Sequence, residues 1–251
     1  MAAIIPIRGS DLEFDNGTFD SAGFAANALS NWKALAAVID HTLLKPEATR
    51  AQVEELCHQA LRYRFACAMI NPIWVPTAVG ILAGTGVPVG VVIGFPLGAS
   101  LISTLRYEAD AVTRLGAREV DMVLPIGQLK SGNHQAVHQA VESAATVVHH
   151  RGALLKVILE TCLLTVEEKL RAAEIAILAG ADFLKTSTGF STSGATAADV
   201  ALLRGVAGAR SGVKASGGIR TLAEVRTLLE AGANRIGASA SVAIVRELGA
   251  E

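Results

Sequence analysis

Aromatic residues are scarce in this chain. Seven Phe, two Trp and two Tyr make up 4% of the 251 residues, so any core must be built from Ala, Val, Leu, Ile and Gly. Charge is thin too, at 18% against roughly 25% in an average soluble domain. The 22 basic and 23 acidic residues leave a formal net charge of −1, with no overall basic excess to bind nucleic acid or an anionic membrane. The three cysteines, Cys57, Cys67 and Cys162, show neither metal-ligand spacing nor an obvious pairing, which suits a reducing cytosol. A long uninterrupted apolar run is also missing, although mean hydropathy is +0.42. No charge occurs from Phe65 to Leu105, but Pro72, Pro76, Pro88, Pro96 and six glycines divide that stretch. A membrane-spanning helix needs about 20 apolar residues in a row. The acidic residues Asp11, Glu13, Asp15 and Asp20 arrive too early for a signal peptide. A soluble, cytoplasmic protein is expected.

What the chain does have is an apolar fraction of 51%, ample for one large domain. Residues 1–34 lack a clear period and read as an N-terminal extension, helical near Phe24 to Leu35. From about residue 35 to 251 a regular rhythm sets in. Strand-length apolar runs occur at Ala37–Asp40, Phe65–Ile70, Val87–Ile93, Glu119–Leu124, Leu154–Leu159, Asp182–Lys185, Gly212–Ala215 and Arg235–Gly237. Helical stretches lie between them. Three open on a hydroxyl followed three residues later by Gln or Glu: Thr49/Gln52, Thr165/Glu168 and Thr221/Glu224. Gly116, Gly180 and Gly232 each close a helical stretch just before a strand. Continuous apolar strands are buried on both faces, as parallel strands are. Eight strands alternating with helices predict an α/β chain folded as a (β/α)8 TIM barrel. The competing doubly wound sheet usually carries GxGxxG or GxxxxGK[ST] after an early strand, and this sequence has neither.

Lysine is the informative charge. Only seven of the 22 cationic residues are Lys, and three of these, Lys156, Lys185 and Lys214, lie in or at the ends of apolar strand runs. A buried ammonium is costly unless paired or neutral. For Lys156 two readings stand equally open: an internal ion pair, with Glu160 or with a carboxylate on a neighbouring strand, or a role in a site. Lys185 and Lys214 stand at the carboxyl ends of the sixth and seventh strands, where barrel active sites lie. Two nearby ammonium groups disfavour each other's charged form. A lysine tuned in this way can form Schiff bases near neutral pH. Asp121, in the fourth strand, is either a salt-bridge partner for such a lysine or an acid/base beside an imine, and the two roles are compatible. Glycine-bearing turns follow the sixth, seventh and eighth strands, at Ser187-Thr188-Gly189, Ser216-Gly217-Gly218 and Gly237-Ala238-Ser239. Bare backbone N–H groups there could hold a phosphate.

Several of these segments closely resemble the deoxyribose-phosphate aldolase family: Asp182-Phe-Leu-Lys-Thr-Ser-Thr-Gly189, Lys214-Ala-Ser-Gly-Gly-Ile-Arg220, Glu119-Val-Asp-Met-Val123 and Ile39-Asp-His-Thr-Leu-Leu-Lys45. Val92-Ile-Gly-Phe-Pro-Leu-Gly98 and Leu155-Lys-Val-Ile-Leu-Glu-Thr161 do so as well. The resemblance runs in order over roughly residues 35 to 248. It implies a (β/α)8 class I aldolase, without metal or cofactor, that reversibly cleaves 2-deoxy-D-ribose 5-phosphate to D-glyceraldehyde 3-phosphate and acetaldehyde. By that resemblance Lys185 carries the Schiff base, while Lys214 and Asp121, with a water, shuttle the proton. Asp40, Thr42 and Thr188 line the sugar-hydroxyl region. Gly189, Gly217, Gly218, Gly237 and Ser239 hold the phosphate. The family resemblance also implies a homo-oligomer, a dimer or higher.

The chain departs from the family pattern at Phe190, where some members have lysine, and at Ser193, Ala240, Ser241 and Met69. The first four bear on the hold over phosphate and on the choice between phosphorylated and plain aldehydes. Other readings compete with this one: a non-catalytic sugar-phosphate-binding barrel, an aldolase with a different aldehyde acceptor, a metal-dependent enzyme and a pyridoxal phosphate enzyme. His134 and His138 share a helix face without the acidic partner of HExxH, and with His149 and His150 they are expected on a helix surface.

Overall fold

Each of the eight apolar runs overlaps a strand in the computed structural model, which describes residues 18–251. The helix expected over 24–35 is instead two helices, α1 (Ser21–Ala28) and α2 (Trp32–Ala36). Each helix opens on its own side-chain cap, and the second cap divides them. Asp20 accepts the Gly23 N–H, and Asn31 accepts the N–H groups of Lys33 and Ala34, so a second helix starts before the first could continue. α1 lies in the expected 1–34 extension, α2 crosses its boundary to end at Ala36, and residues 1–17 fall outside the described residues. Here α1 packs against α10 (Leu222–Glu230) and α2 against α11 (Ser241–Arg246).

The rest of the described chain alternates strand and helix. β1 (Ile39–Leu43) leads through α3 (Arg50–Tyr63) to β2 (Cys67–Ile70), and α4 (Val75–Leu82) to β3 (Val89–Ile93). Then α5 (Ile102–Arg114) precedes β4 (Glu119–Val123), and α6 (Ile126–Lys130) with α7 (His134–His150) precedes β5 (Leu154–Ile158). Finally α8 (Val166–Leu178), β6 (Phe183–Lys185), α9 (Ala197–Ala207), β7 (Gly212–Ser216), α10 and β8 (Arg235–Ala238) lead to α11. All eight strands are parallel, each pairs with its sequence neighbour, and β8 pairs with β1 to close the barrel. Closure excludes the doubly wound sheet. Among the described residues no helix is long and apolar enough to cross a membrane.

Local chemistry accounts for these boundaries. Thr49, Thr165 and Thr221 each form a complete capping box with the Gln or Glu three residues on. Gly116, Gly180 and Gly232 take φ of +111°, +100° and +112°, a region that β-carbon-bearing residues avoid. Every residue of β2, β3, β4, β6 and β7 is buried.

The barrel lumen is divided by chemistry. On the β2–β3 side Cys67, Met69 and Val92 form a small apolar cluster with Leu44, against which Phe95 packs. From β4 round to β1 the buried side chains are instead charged: Glu119, Asp121, Lys156, Lys185, Lys214 and Asp40. The main apolar core lies outside the strands, between sheet and helices, with residues such as Leu105, Val141, Ala172 and Val225.

Candidate active site

The strand register brings the charged residues together. Asp121 stands opposite Lys156 across β4–β5, and Lys185 opposite Lys214 across β6–β7. Asp121 is completely buried and holds three lysines. Its Oδ2 accepts from Lys185 Nζ at 2.7 Å and from Lys214 Nζ at 2.8 Å, while its Oδ1 accepts from Lys156 Nζ at 2.9 Å. Lys214 also donates to Asp40. Lys156 is paired on neighbouring strands, with Asp121 and with Glu119 at 2.5 Å. Of the two partners expected for it, the neighbouring-strand carboxylate is therefore correct. Glu160 is not its partner, because the chain turns left-handed there (φ +55°) and sends that carboxylate to Thr188.

These contacts shift the protonation of each group. Burial alone would raise the Asp121 carboxyl, but Lys156, Lys185 and Lys214 outweigh it and hold the group well below the ordinary carboxylate range. Asp40 is lowered likewise: burial opposes its charge, but Lys214, Arg235 and Lys156 prevail. Lys156 is raised, since Asp121 and Glu119 more than offset its burial. Lys185 moves the other way, to about 8. The largest cause is burial; Asp121 opposes it, and the neighbouring Lys214 lowers the value further. Mutual repulsion between the lysines, anticipated from the sequence, is thus secondary to desolvation.

Above these groups lies a cavity of about 440 Å³ at the carboxyl ends of the strands. Lys185 and Lys214 reach it from below. Thr42, Thr188, Gly189, Gly217, Gly218, Gly237 and Ser239 are on its wall, as are Ser216, Lys45, Arg220 and Phe190. Asp40 and Asp121 do not line it. Asp40 sits fully buried beneath, as the partner of Lys214 and Arg235. The Thr188 hydroxyl is committed within the protein, donating to Glu160 and accepting the Phe190 N–H at 3.0 Å. Gly217 takes φ +89°, and a Cβ there would come within 3.0 Å of Gly194 Cα; the two loop backbones can meet only without side chains. A Cβ on Gly237 would press on Lys214 Cε at 3.0 Å, so this glycine clears the path of that lysine.

Two residues of the cavity wall, Lys45 and Arg220, escaped the sequence reading as site residues, as did Glu160, buried behind Thr188. Glu160 had a signal, since it directly follows a buried strand at its carboxyl end. Lys45 and Arg220 carried none beyond their place after strands.

The remaining candidates lie elsewhere. His138 is on the α7 surface, 3.8 Å from Glu142. His149 sits at the end of α7, where its Nε2 meets Asp182 Oδ2 at 2.8 Å. Among the described residues Asp40, Cys67 and Glu119 form the one group with metal-ligand atoms close together, within 4.8 Å of one another. Lys156 and Arg235 already supply the positive charge there.

A lysine with a lowered pKa, clamped by an aspartate under a glycine-rimmed cavity, has the chemistry that imine formation needs. Residues 33–247 match the family described as DeoC/LacD family aldolase. A deoxyribose-phosphate aldolase of Thermoanaerobacter sp. (strain X514) is 53% identical over 214 residues, 85% of this chain and 96% of that one. One from Geobacillus sp. (strain WCH70) is 51% identical over 211 residues, 84% and 94% of the two chains. The tetrameric deoxyribose phosphate aldolase of Aeropyrum pernix superposes with a TM-score of 0.84 at 35% identity, covering 91% of this chain and 96% of its own. On sequence and fold alike, the chain belongs to the DeoC/LacD family of aldolases.

Proposed function

We propose that this protein is a deoxyribose-phosphate aldolase of the Schiff-base class, reversibly cleaving 2-deoxy-D-ribose 5-phosphate to D-glyceraldehyde 3-phosphate and acetaldehyde. The observation that carries the reading is Lys185, 2% exposed, lowered to about 8, and 2.7 Å from Asp121 at the floor of the cavity. In its neutral form the amine attacks the aldehyde carbon of the open-chain sugar. The carbinolamine then loses water, leaving a protonated imine. Removal of the proton from the sugar's C3 hydroxyl lets the C2–C3 bond break. Glyceraldehyde 3-phosphate leaves and the bonding electrons pass into the imine, giving an enamine. Protonation of its terminal carbon and addition of water release acetaldehyde and restore the amine. Lys214 and Asp121, with a water, carry the proton between solvent and that carbon.

Thr42 and Thr188 shape the wall beside the sugar hydroxyls, and Asp40 acts from beneath by holding Lys214. The phosphate rests against the backbone at Gly189, Gly217, Gly218 and Gly237 and the hydroxyl of Ser239, with Lys45 and Arg220 on the same wall supplying positive charge. The half-exposed Phe190, its ring edge-on to Phe95 at 5.2 Å, favours a second reading in which an unphosphorylated aldehyde acceptor is also taken. The protein acts in the cytoplasm, where its phosphorylated substrate is found, and as a homo-oligomer like its Aeropyrum relative.

Borohydride added with acetaldehyde should leave an ethyl group on Lys185, located by peptide mass spectrometry. Labelling should rise with pH through about 8, the value to which burial brings this lysine. An ethyl group on another residue alone, or on none, would overturn the mechanism and favour a non-catalytic sugar-phosphate binder.

A further inference from the structure

Beneath the lysine–aspartate cluster a second layer of charge closes the amino-terminal end of the barrel. Glu119 opens β4 and Arg235 opens β8, on opposite sides of the eight-stranded ring. Arg235 Nη2 nevertheless donates to Glu119 Oε1 at 2.7 Å, so the pair spans the lumen. Two chains of contacts climb from it. Arg235 Nε lies 3.4 Å from Asp40 Oδ1, and Asp40 in turn holds Lys214. Glu119 Oε2 lies 2.5 Å from Lys156 Nζ, which donates to Asp121 Oδ1. The two chains rejoin at Asp121 Oδ2, where Lys185 and Lys214 both donate. The mechanism above gives neither Glu119 nor Arg235 a task.

The charge count shows what the pair can do. Three carboxylates, Asp40, Glu119 and Asp121, face four cations, Lys156, Lys185, Lys214 and Arg235. Fully charged, the lumen carries one positive charge too many. Loss of a proton from Lys185 balances it at three against three, and the protonated imine restores the excess. The other groups facing this lumen leave the count unchanged. β3 carries no titratable side chain. The Cys67 thiol on β2 is pushed well up by burial and by Glu119, and so stays neutral. Glu160 is turned to Thr188, and Lys45 and Arg220 lie out on the cavity wall.

We propose that Glu119 and Arg235 are positioning residues for the lysine nucleophile: a salt bridge across the closed end of the barrel that holds Lys156 and Asp40, and through them Asp121 and Lys214, in the arrangement that releases the proton of Lys185. The proposal rests on Lys185 being the imine-forming residue. Coulomb's law sets the signs. Removing a negative charge below Lys185 disfavours its protonated form and lowers the pH at which the amine becomes free. Removing a positive charge raises that pH.

The test is acetaldehyde with cyanoborohydride over a pH series, reading ethylation at Lys185 by mass spectrometry, with near-ultraviolet circular dichroism to establish the fold. Wild-type protein comes first, since a wild type unlabelled at Lys185 refutes the nucleophile assignment itself. With that label in place, the isosteric Glu119→Gln should move the labelling midpoint to lower pH by roughly one unit, and Arg235→Gln to higher pH by a similar amount. Arg235→Lys, which keeps the charge, should stay close to wild type. Midpoints that do not move in folded variants, or that move in the same direction in both, overturn the proposal. Should neither single variant fold, the double variant Glu119→Gln/Arg235→Leu removes the pair as a unit. It should keep the wild-type midpoint but form the imine at least about tenfold more slowly, because Lys156 and Asp40 lose their anchor; a wild-type rate would refute the positioning role.

Discussion

At the scale of single residues, the lumen works by sharing one carboxylate among several amines. Asp121 accepts from three lysines, and Lys214 is divided between Asp121 and Asp40. Lys214→Leu therefore does two things. It removes the cation that helps lower Lys185 and moves the proton, and it takes one of the cations from the fully buried Asp40. Imine formation should fall by at least about a hundredfold, the usual scale for a lost proton-transfer group. Thermal stability should fall with it, measured as Tm against wild type, since a buried carboxylate loses a partner. Near-normal turnover would remove Lys214 from the mechanism. The sequence marked Lys185, Lys214 and Asp121 because charge inside apolar strand runs needs an explanation. It had no means of showing that Asp40 faces Lys214 beneath the cavity, since an aspartate at a strand start looks the same whether it points to substrate or to an ion pair.

At the scale of elements, the boundaries followed rules that reach only a few residues. Capping boxes and glycine stops placed helix ends correctly because each depends on residues three or four apart. Strand limits are less exact, most of all the first: the apolar run is Ala37–Asp40, but Ala37 caps α2 and β1 runs from Ile39 to Leu43. Apolar content alone does not separate the last turn of a helix from the first residues of a buried strand. The His149–Asp182 contact joins α7 to the residue just before β6, and the same Asp182 carboxylate accepts the Leu155 N–H of β5 at 2.7 Å. The Asp182 hydrogen bond raises the His149 pKa, while partial burial works against the charge. A raised histidine pKa stabilises the fold fully below the unfolded value near 6.5 and loses that contribution as pH climbs through the folded value. Urea unfolding should thus show His149→Gln less stable than wild type at pH 5.5, with the gap closing by pH 8.5. The gap should be about a few tenths of a kcal/mol, because the imidazole is partly exposed and screened. A gap that widens with pH would contradict this account.

At the scale of the whole molecule, the (β/α)8 barrel separates two kinds of interior. Apolar burial outside the strands holds the helices on, while the lumen from β4 to β1 is an ionic network with an apolar wall at β2 and β3. Lys156 is wholly buried and has no cavity surface, so it contributes to the network without touching substrate. Lys156→Met leaves Glu119 and Asp121 each short of a cation in a closed space. Denaturant titration should show a loss of about 3–5 kcal/mol, the range for breaking a buried ion pair from one side. A loss below about 1 kcal/mol would mean that the lumen relaxes or takes in water.

Legible in the chain alone were the count and order of strands, three helix starts and three glycine stops, and the two unusual lysines at consecutive strand ends. All of these depend on neighbours within a turn or a pleat. Which charges meet is settled by the closed barrel. Lys214 and Asp40 are 174 residues apart, Arg235 and Glu119 are 116 apart, and Lys185 and Asp121 are 64 apart. Closure of β8 onto β1 sets the first pair within contact, and the inward face of opposite strands sets the second. Ion pairing across a lumen depends on the ring as a whole, and no local pattern in the chain encodes it.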